Sequence, residues 1–177
     1  MDLTKAILPE AVMVSGRYFK IFTGHSYWFR FAEIIDQEKV YLGECDFLYD
    51  GDKPDDRQAG IDALGRFYYE PKVLPRVEGS DGGRIVDYAI DADLIYAAIL
   101  QCYGIDLYEK QLHWHKVRAM ISGLHGTKLN EIFGYRCAVT GKNKELARMK
   151  RIWELPEKQT SEDAEIVKKI ADQFYNA

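Results

Sequence analysis

From Trp28 to Trp153, apolar side chains return at every third or fourth position in one segment after another, and this period directs the chain to a mainly α fold. The clearest segment runs from Ala92 to Tyr103. Asp91 stands before it as an N-cap candidate, Asp93 falls in the first turn where the helix dipole favours an acid, and Gly104 follows at the left-handed stop. Leu94 to Leu100 leave almost no polar face, which predicts a central helix. Five further helices are expected. Ser26 is placed to cap one carrying Trp28, Phe31, Ala32 and Ile35 and ending near Gln37 or Glu38. Asp55 or Asp56 opens another, with Gly60, Ala63, Leu64, Phe67 and Tyr68 on one side before Pro71. A third runs from about Leu112 to Ser122, with Trp114, Val117, Ile121 and Leu124 in a stripe, and ends at Gly123. A short piece around Leu129 to Phe133 is followed by Asn143 to Leu155, with Leu146, Met149 and Trp153 on one side and Pro156 as terminator.

Only one place has strand character. Between Ala11 and Ile21 two short apolar and aromatic runs flank Ser15-Gly16, the pattern of a two-residue β-hairpin. The expected architecture is therefore an N-terminal β-hairpin (about 11–21) packed on a bundle of five or six helices within a single domain over 1–155. A linker and a C-terminal amphipathic helix from Thr160 to Asn176, with Val167, Ile170 and Phe174, occupy 156–177. The stretch Pro71 to Gly83, dense in Pro, Gly and Ser, predicts a mobile loop.

Charge is unevenly spread. Between Glu44 and Asp56 six carboxylates (Glu44, Asp46, Asp50, Asp52, Asp55 and Asp56) face only Lys53, which predicts a solvated acidic loop. Between Lys142 and Arg151 five bases (Lys142, Lys144, Arg148, Lys150 and Arg151) face only Glu145, on a helix with one packed and one solvated face. A net charge of −4 argues against broad nucleic-acid binding. No uncharged apolar run approaches the ~20 residues of a membrane helix, and the opening residues lack the pattern of a signal peptide, so the expected compartment is the cytosol.

Chemistry-bearing motifs are scarce. His113 and His115 could in principle join Cys102 or Cys137 at a metal, but two residues apart on a helix they would point to nearly opposite sides, which favours packing histidines. The acids from Asp50 resemble a calcium loop in composition only, because its sixth and twelfth places hold Asp55 and Ile61. Asp91 and Asp93 are more simply a helix cap and a first-turn acid than a catalytic pair. Gly123 to Gly126 reads as a turn between helices. No cofactor, metal or small-molecule substrate is expected, and no enzyme emerges.

Longer motifs are informative in another way. Tyr88-Ala89-Ile90-Asp91 with the helix after it, Tyr103-Gly104-Ile105-Asp106-Leu107, Leu112-His113-Trp114-His115-Lys116-Val117-Arg118-Ala119-Met120 and Gly134-Tyr135-Arg136 together resemble the gene-product-fifteen family of tailed bacteriophages and prophages. The likeness runs from about Leu8 to Leu155 and includes the hairpin leading into Trp28-Phe29-Arg30-Phe31. The sequence departs from the family at His115, where an aromatic is usual, and at Val117, where Phe is usual.

The resemblance implies a non-enzymatic tail assembly chaperone acting in the host cytoplasm. It would bind the tape measure protein, help recruit tail tube protein, possess some self-association and be absent from the mature virion. A minor structural or head-to-tail joining protein is the alternative. No nucleic acid or membrane partner is implied, and the family transfers no active-site residues. Partner contacts are expected from Tyr27, Trp28, Phe31, His113, Trp114, Arg148, Lys150 and Arg151, and from the C-terminal helix. An acidic rim near Asp50 and a basic one near Arg148 would order neighbouring copies along the client.

Overall fold

A computed structural model describes residues 4, 7–37, 40–69 and 84–156. The expected loop at 71–83 and the expected C-terminal helix lie outside the described residues. The chain is mainly α, as the periodicity predicts. Strands β1 (Ala11–Val14) and β2 (Arg17–Lys20) precede helices α1 (His25–Ile35), α2 (Arg57–Tyr69), α3 (Ala92–Tyr103), α4 (Trp114–Ser122), α5 (Lys128–Cys137) and α6 (Lys144–Trp153), with a 3-10 turn at Asp46–Leu48 between α1 and α2. Among the described residues no helix is long and apolar enough to cross a membrane.

The hairpin forms as its sequence dictates. Ser15 and Gly16 have φ of +49° and +83°, the paired left-handed backbone that matches the twist of two adjoining strands. Val12 then faces Phe19, and Met13 faces Tyr18. Alternation sends Val12, Val14 and Phe19 into the core and leaves Met13 and Tyr18 on the solvent side.

Helix ends show where local signals were overruled. Ser26 does not cap α1. Gly24 is the N-cap and has no side chain to offer; backbone pairing with the segment before α4 holds the chain there. His25 N–H donates to the Leu112 carbonyl at 2.8 Å and Trp114 N–H to that of Thr23 at 2.7 Å, while the Ser26 hydroxyl accepts from Gln111. The same pairing delays α4 to Trp114, two residues beyond Leu112, with His113 as its N-cap. Helix α1 stops at Ile35, short of Gln37. Asp56 opens α2, its carboxylate accepting from Ala59 N–H. Helix α5 is longer than the expected Leu129 to Phe133, because Thr127 and Asn130 form a reciprocal capping box in which Asn takes the usual Glu or Gln place. Asn143 caps α6 through Leu146 N–H.

Helix α3 has the expected bounds, with Gly104 at φ +62° closing it. It is not buried all round, however. Ile95, Ala98 and Ile99 are buried against α4 and α5, whereas Ala97 and Leu100 on the other side are exposed. Apolar composition alone does not set how many neighbours a helix acquires.

The core has two parts. One joins the hairpin, α1, the 3-10 turn and α2 around Trp28, Phe31, Leu48, Leu64 and Trp114. The other joins α3, α4 and α5 around Ile99, Val117 and Leu129. Phe29 and Tyr88 pack against both. His25, 4% exposed, ties α1 to the loop before α4, its Nδ1 accepting from Leu112 N–H at 3.1 Å. Burial of the ring lowers the His25 pKa from the usual histidine value. The unfolded chain therefore takes up a proton near pH 6.5 that the folded chain refuses. The part of the stability that His25 supplies should be constant above that pH and fall below it until the folded His25 itself protonates. Urea midpoints at pH 8 and pH 5 will register this, and His25→Gln should remove its part of the difference.

Candidate interaction surface

The end of the basic helix α6 is fastened through the arginine of a buried ion pair. Arg136, on the inner side of α5, meets Asp91 through two parallel bonds, Nη1 to Oδ2 at 2.6 Å and Nη2 to Oδ1 at 2.9 Å. The side chains are 5% and 1% exposed. Arg136 also donates from Nε to the Trp153 carbonyl at 2.7 Å and from Nη1 to that of Ile85 at 2.7 Å. Asp91 accepts a further bond from Asp87 N–H. A guanidinium whose planar fork reaches a carboxylate and two carbonyls satisfies the desolvated charges on both sides. Asp91 thus occupies the N-cap position of α3, but its side chain makes no capping bond to the helix, which corrects its expected role. Arg84 reinforces the clasp, pairing with Asp36 and Asp87 and donating to the Pro156 carbonyl.

So anchored, α6 leaves the domain surface with none of its residues fully buried. Leu146, Met149 and Trp153 are half-buried, Ile152 and nearby Val139 are 56% and 76% exposed, and Lys142, Lys144, Arg148 and Arg151 are exposed. Arg148 lies 3.8 Å from Glu145 in a fully solvated pair that contributes little. Lys150 differs: its Nζ donates to the Ala138 carbonyl at the end of α5, a structural contact.

The acidic loop is not the free rim that composition suggests. Asp46 pairs with Arg57 and Lys53, Asp50 with Lys20, and Asp52 with Arg17. Lysine and arginine from the hairpin and α2 thereby pair with three of the six carboxylates, Asp46, Asp50 and Asp52.

Trp114, His115 and Arg118 of the long motif serve the end of α2. A helix leaves its last four carbonyls without partners. Here the Tyr68 carbonyl accepts from Trp114 Nε1 at 3.1 Å and Arg118 Nη1 at 2.6 Å, and Phe67's accepts from His115 Nε2 at 2.8 Å. A guanidinium also suits the negative end of the helix dipole. His113 precedes α4, and its Nδ1 accepts from His115 N–H while Nε2 donates to the Pro9 carbonyl at 3.0 Å. Because His113 stands outside the helix, the two rings lie 5.0 Å apart instead of on opposite sides. Among the described residues no three His, Cys, Asp or Glu side chains are grouped to hold a metal.

Of the expected contact residues, Trp28, Phe31 and Trp114 are each 0% exposed. They are core, which corrects their assignment to a partner surface: Trp28 packs on Phe67 at 4.5 Å, Phe31 on Tyr68, and Trp114 stacks on Tyr68 at 5.0 Å. Tyr27 is half-buried in a stack with Phe22, and His113 is half-buried. Arg148 and Arg151 face solvent, alongside exposed apolar residues that periodicity did not single out, among them Tyr18, Tyr41, Leu42, Tyr69 and Tyr108. Their only signal in the sequence is a large apolar side chain standing off the helical stripes.

Comparison with known proteins points to a family. The profile of the family described as Bacteriophage Gp15 protein matches residues 8–157. No curated protein and no solved structure matches the chain. The match takes in the hairpin, all six helices, the Asp91–Arg136 clasp and the residues capping α2, and ends just past Pro156. Spanning most of the 177 residues, it establishes that the chain belongs to the bacteriophage Gp15 protein family.

Proposed function

We propose that this phage protein is a non-enzymatic tail assembly chaperone that masks the tape measure protein and helps bring tail tube protein to it. The observation that supports this reading is the state of α6: an amphipathic helix, clasped at its end through the Trp153 carbonyl, with no fully buried residue and with exposed Arg148 and Arg151 on the same helix as exposed Ile152. Such a surface suits an amphipathic, acidic client helix lying along it, by helix-in-groove packing with a charged margin. Contacts of this kind are individually weak, as release during tube growth requires, and gain strength over many copies on a long client. The protein would work in the host cytoplasm and stay out of the finished particle.

Co-expression with the tape measure protein tests the reading. The chain should keep the client soluble and co-purify with it, and Arg148→Glu with Arg151→Glu should reduce the recovered client severalfold while leaving the thermal melt unchanged. Neutralising Lys150 is a poorer probe, since its bond to Ala138 supports the fold. Equal loading by the charge-reversed protein would remove α6 from the account. Detection of this chain at stoichiometric level in purified virions by mass spectrometry would favour the head-to-tail joining alternative.

A further inference from the structure

The two long edges of the hairpin are treated differently. At the end of β2 the outward groups are occupied: Asp50 N–H donates to the Lys20 carbonyl at 2.9 Å, and just past the strand Phe22 N–H donates to that of Leu48 at 2.8 Å. On β1 they are not. Ile21 N–H donates to the Glu10 carbonyl, so alternation along the antiparallel ladder pairs Val12 with Phe19 and Val14 with Arg17 through hydrogen bonds, and turns the N–H and C=O of Ala11 and Met13 away from β2. Among the described residues these groups meet no partner. They border a shallow cavity of about 340 Å³ whose far wall is Ala63, Arg66 and Phe67 of α2 with His115 of α4. Ala63 and Phe67 give that wall an apolar floor, while Arg66 is exposed and makes no ion pair among the described residues.

An open strand edge beside an apolar wall with a lone guanidinium has a specific complement. We propose that β1 is a β-augmentation site that accepts an extended peptide strand, its backbone bonding to Ala11 and Met13, with one apolar side chain against Phe67 and one carboxylate toward Arg66. Backbone pairing supplies the affinity of such complexes and alternate side chains supply their selectivity. The unpaired edge is otherwise a liability that proteins commonly block with a charge, a proline or a covering segment. This site lies on the hairpin and α2, apart from α6, and its fate is independent of the chaperone reading.

The probe is the acetylated and amidated peptide Thr-Val-Thr-Glu-Val-Thr, titrated into the isotope-labelled full chain and followed by amide NMR. Ala11 and Met13 amides should move and exchange at least about tenfold more slowly at saturation, with no such change on β2. Arg66→Glu should weaken binding about tenfold, and the peptide with Lys in place of Glu should restore it to that variant. Met13→Pro, which removes an N–H the ladder does not use, should abolish the Met13 pairing while the Val12–Phe19 contact persists. If Met13→Pro unfolds, the Arg66 charge exchange decides alone. Three outcomes overturn the proposal: no protection of Ala11 and Met13 at about 2 mM peptide, protection without peptide that grows with protein concentration and so reports a second copy, or concentration-independent protection in the free chain, which would mean that another part of the same chain already fills the edge.

Discussion

Arg136→Leu should lower the free energy of unfolding by about 3–5 kcal/mol, the usual effect of stranding one member of a buried ion pair. Asp91 would be left 1% exposed with only the Asp87 N–H as partner, and the carbonyls of Trp153 and Ile85 would each lose a donor. Asp91→Leu should cost a similar amount by stranding the guanidinium. The double variant Asp91→Leu/Arg136→Met is expected to recover part of the loss, because neither charge remains. Recovery should stay incomplete, because the two carbonyls are still unserved, at roughly 1–3 kcal/mol each if water cannot reach them. Urea denaturation with a double-mutant cycle measures the coupling. A loss below about 1 kcal/mol for Arg136→Leu would show that the clasp is dispensable. Amide exchange separates its two duties: α6 should open in Arg136→Leu before α5 does, since the bond to Trp153 is what fastens the end of α6.

The second large effect is expected at Trp114. Trp114→Ala removes a fully buried indole that stacks on Tyr68 and meets Phe29 and Tyr88 edge-on, at 5.6 and 5.8 Å. Such a deletion costs about 3–5 kcal/mol through lost burial and the cavity left behind. Because Phe29 and Tyr88 also touch the α3–α5 cluster, both parts of the core should loosen, which predicts a cooperative loss and not a local opening. Trp114→Phe keeps an aromatic face but removes Nε1–H from the Tyr68 carbonyl, which retains Arg118 as donor. Its cost should be clearly smaller, about 1–2 kcal/mol. Thermal melts of the two variants, with near-ultraviolet circular dichroism to follow aromatic packing, give the ordering. Equal losses for Ala and Phe would mean that the hydrogen bond, and not the packed ring, is what Trp114 contributes.

Several features are legible in the order of residues. Period-3.6 stripes locate helices whose buried residues include Trp28, Phe31 and Ala32 in α1, Gly60, Ala63, Leu64, Phe67 and Tyr68 in α2, and Trp114 and Val117 in α4. Ser15-Gly16 locates the hairpin, because few sequences support consecutive positive φ angles. The contact surface is harder to find. Trp28, Phe31 and Trp114 are large and apolar, a composition shared by binding surfaces and cores, and only packing reveals that they are enclosed. For α6, periodicity and charge correctly pair a half-packed stripe with a solvated basic face, yet they do not distinguish Lys150, which bonds Ala138, from Arg148 and Arg151 in solvent.

What the chain's order of residues determined by itself is whatever depends on neighbours within a turn: helix periods, the hairpin, the glycine stop at Gly104, the Asn143 cap. The pairing of Asp91 with Arg136, of Asp50 with Lys20, and of the α2 carbonyls with Trp114, His115 and Arg118 belongs to the tertiary structure alone. These groups lie far apart along the chain, and a charge or an unpaired carbonyl carries no local mark of its partner. Each finds the group that burial brings within reach, since a desolvated polar atom left alone costs more than local preference can offset. For the same reason Ser26 and Asp91, both good caps by composition, were drawn into other bonds once α1 and α3 had packed.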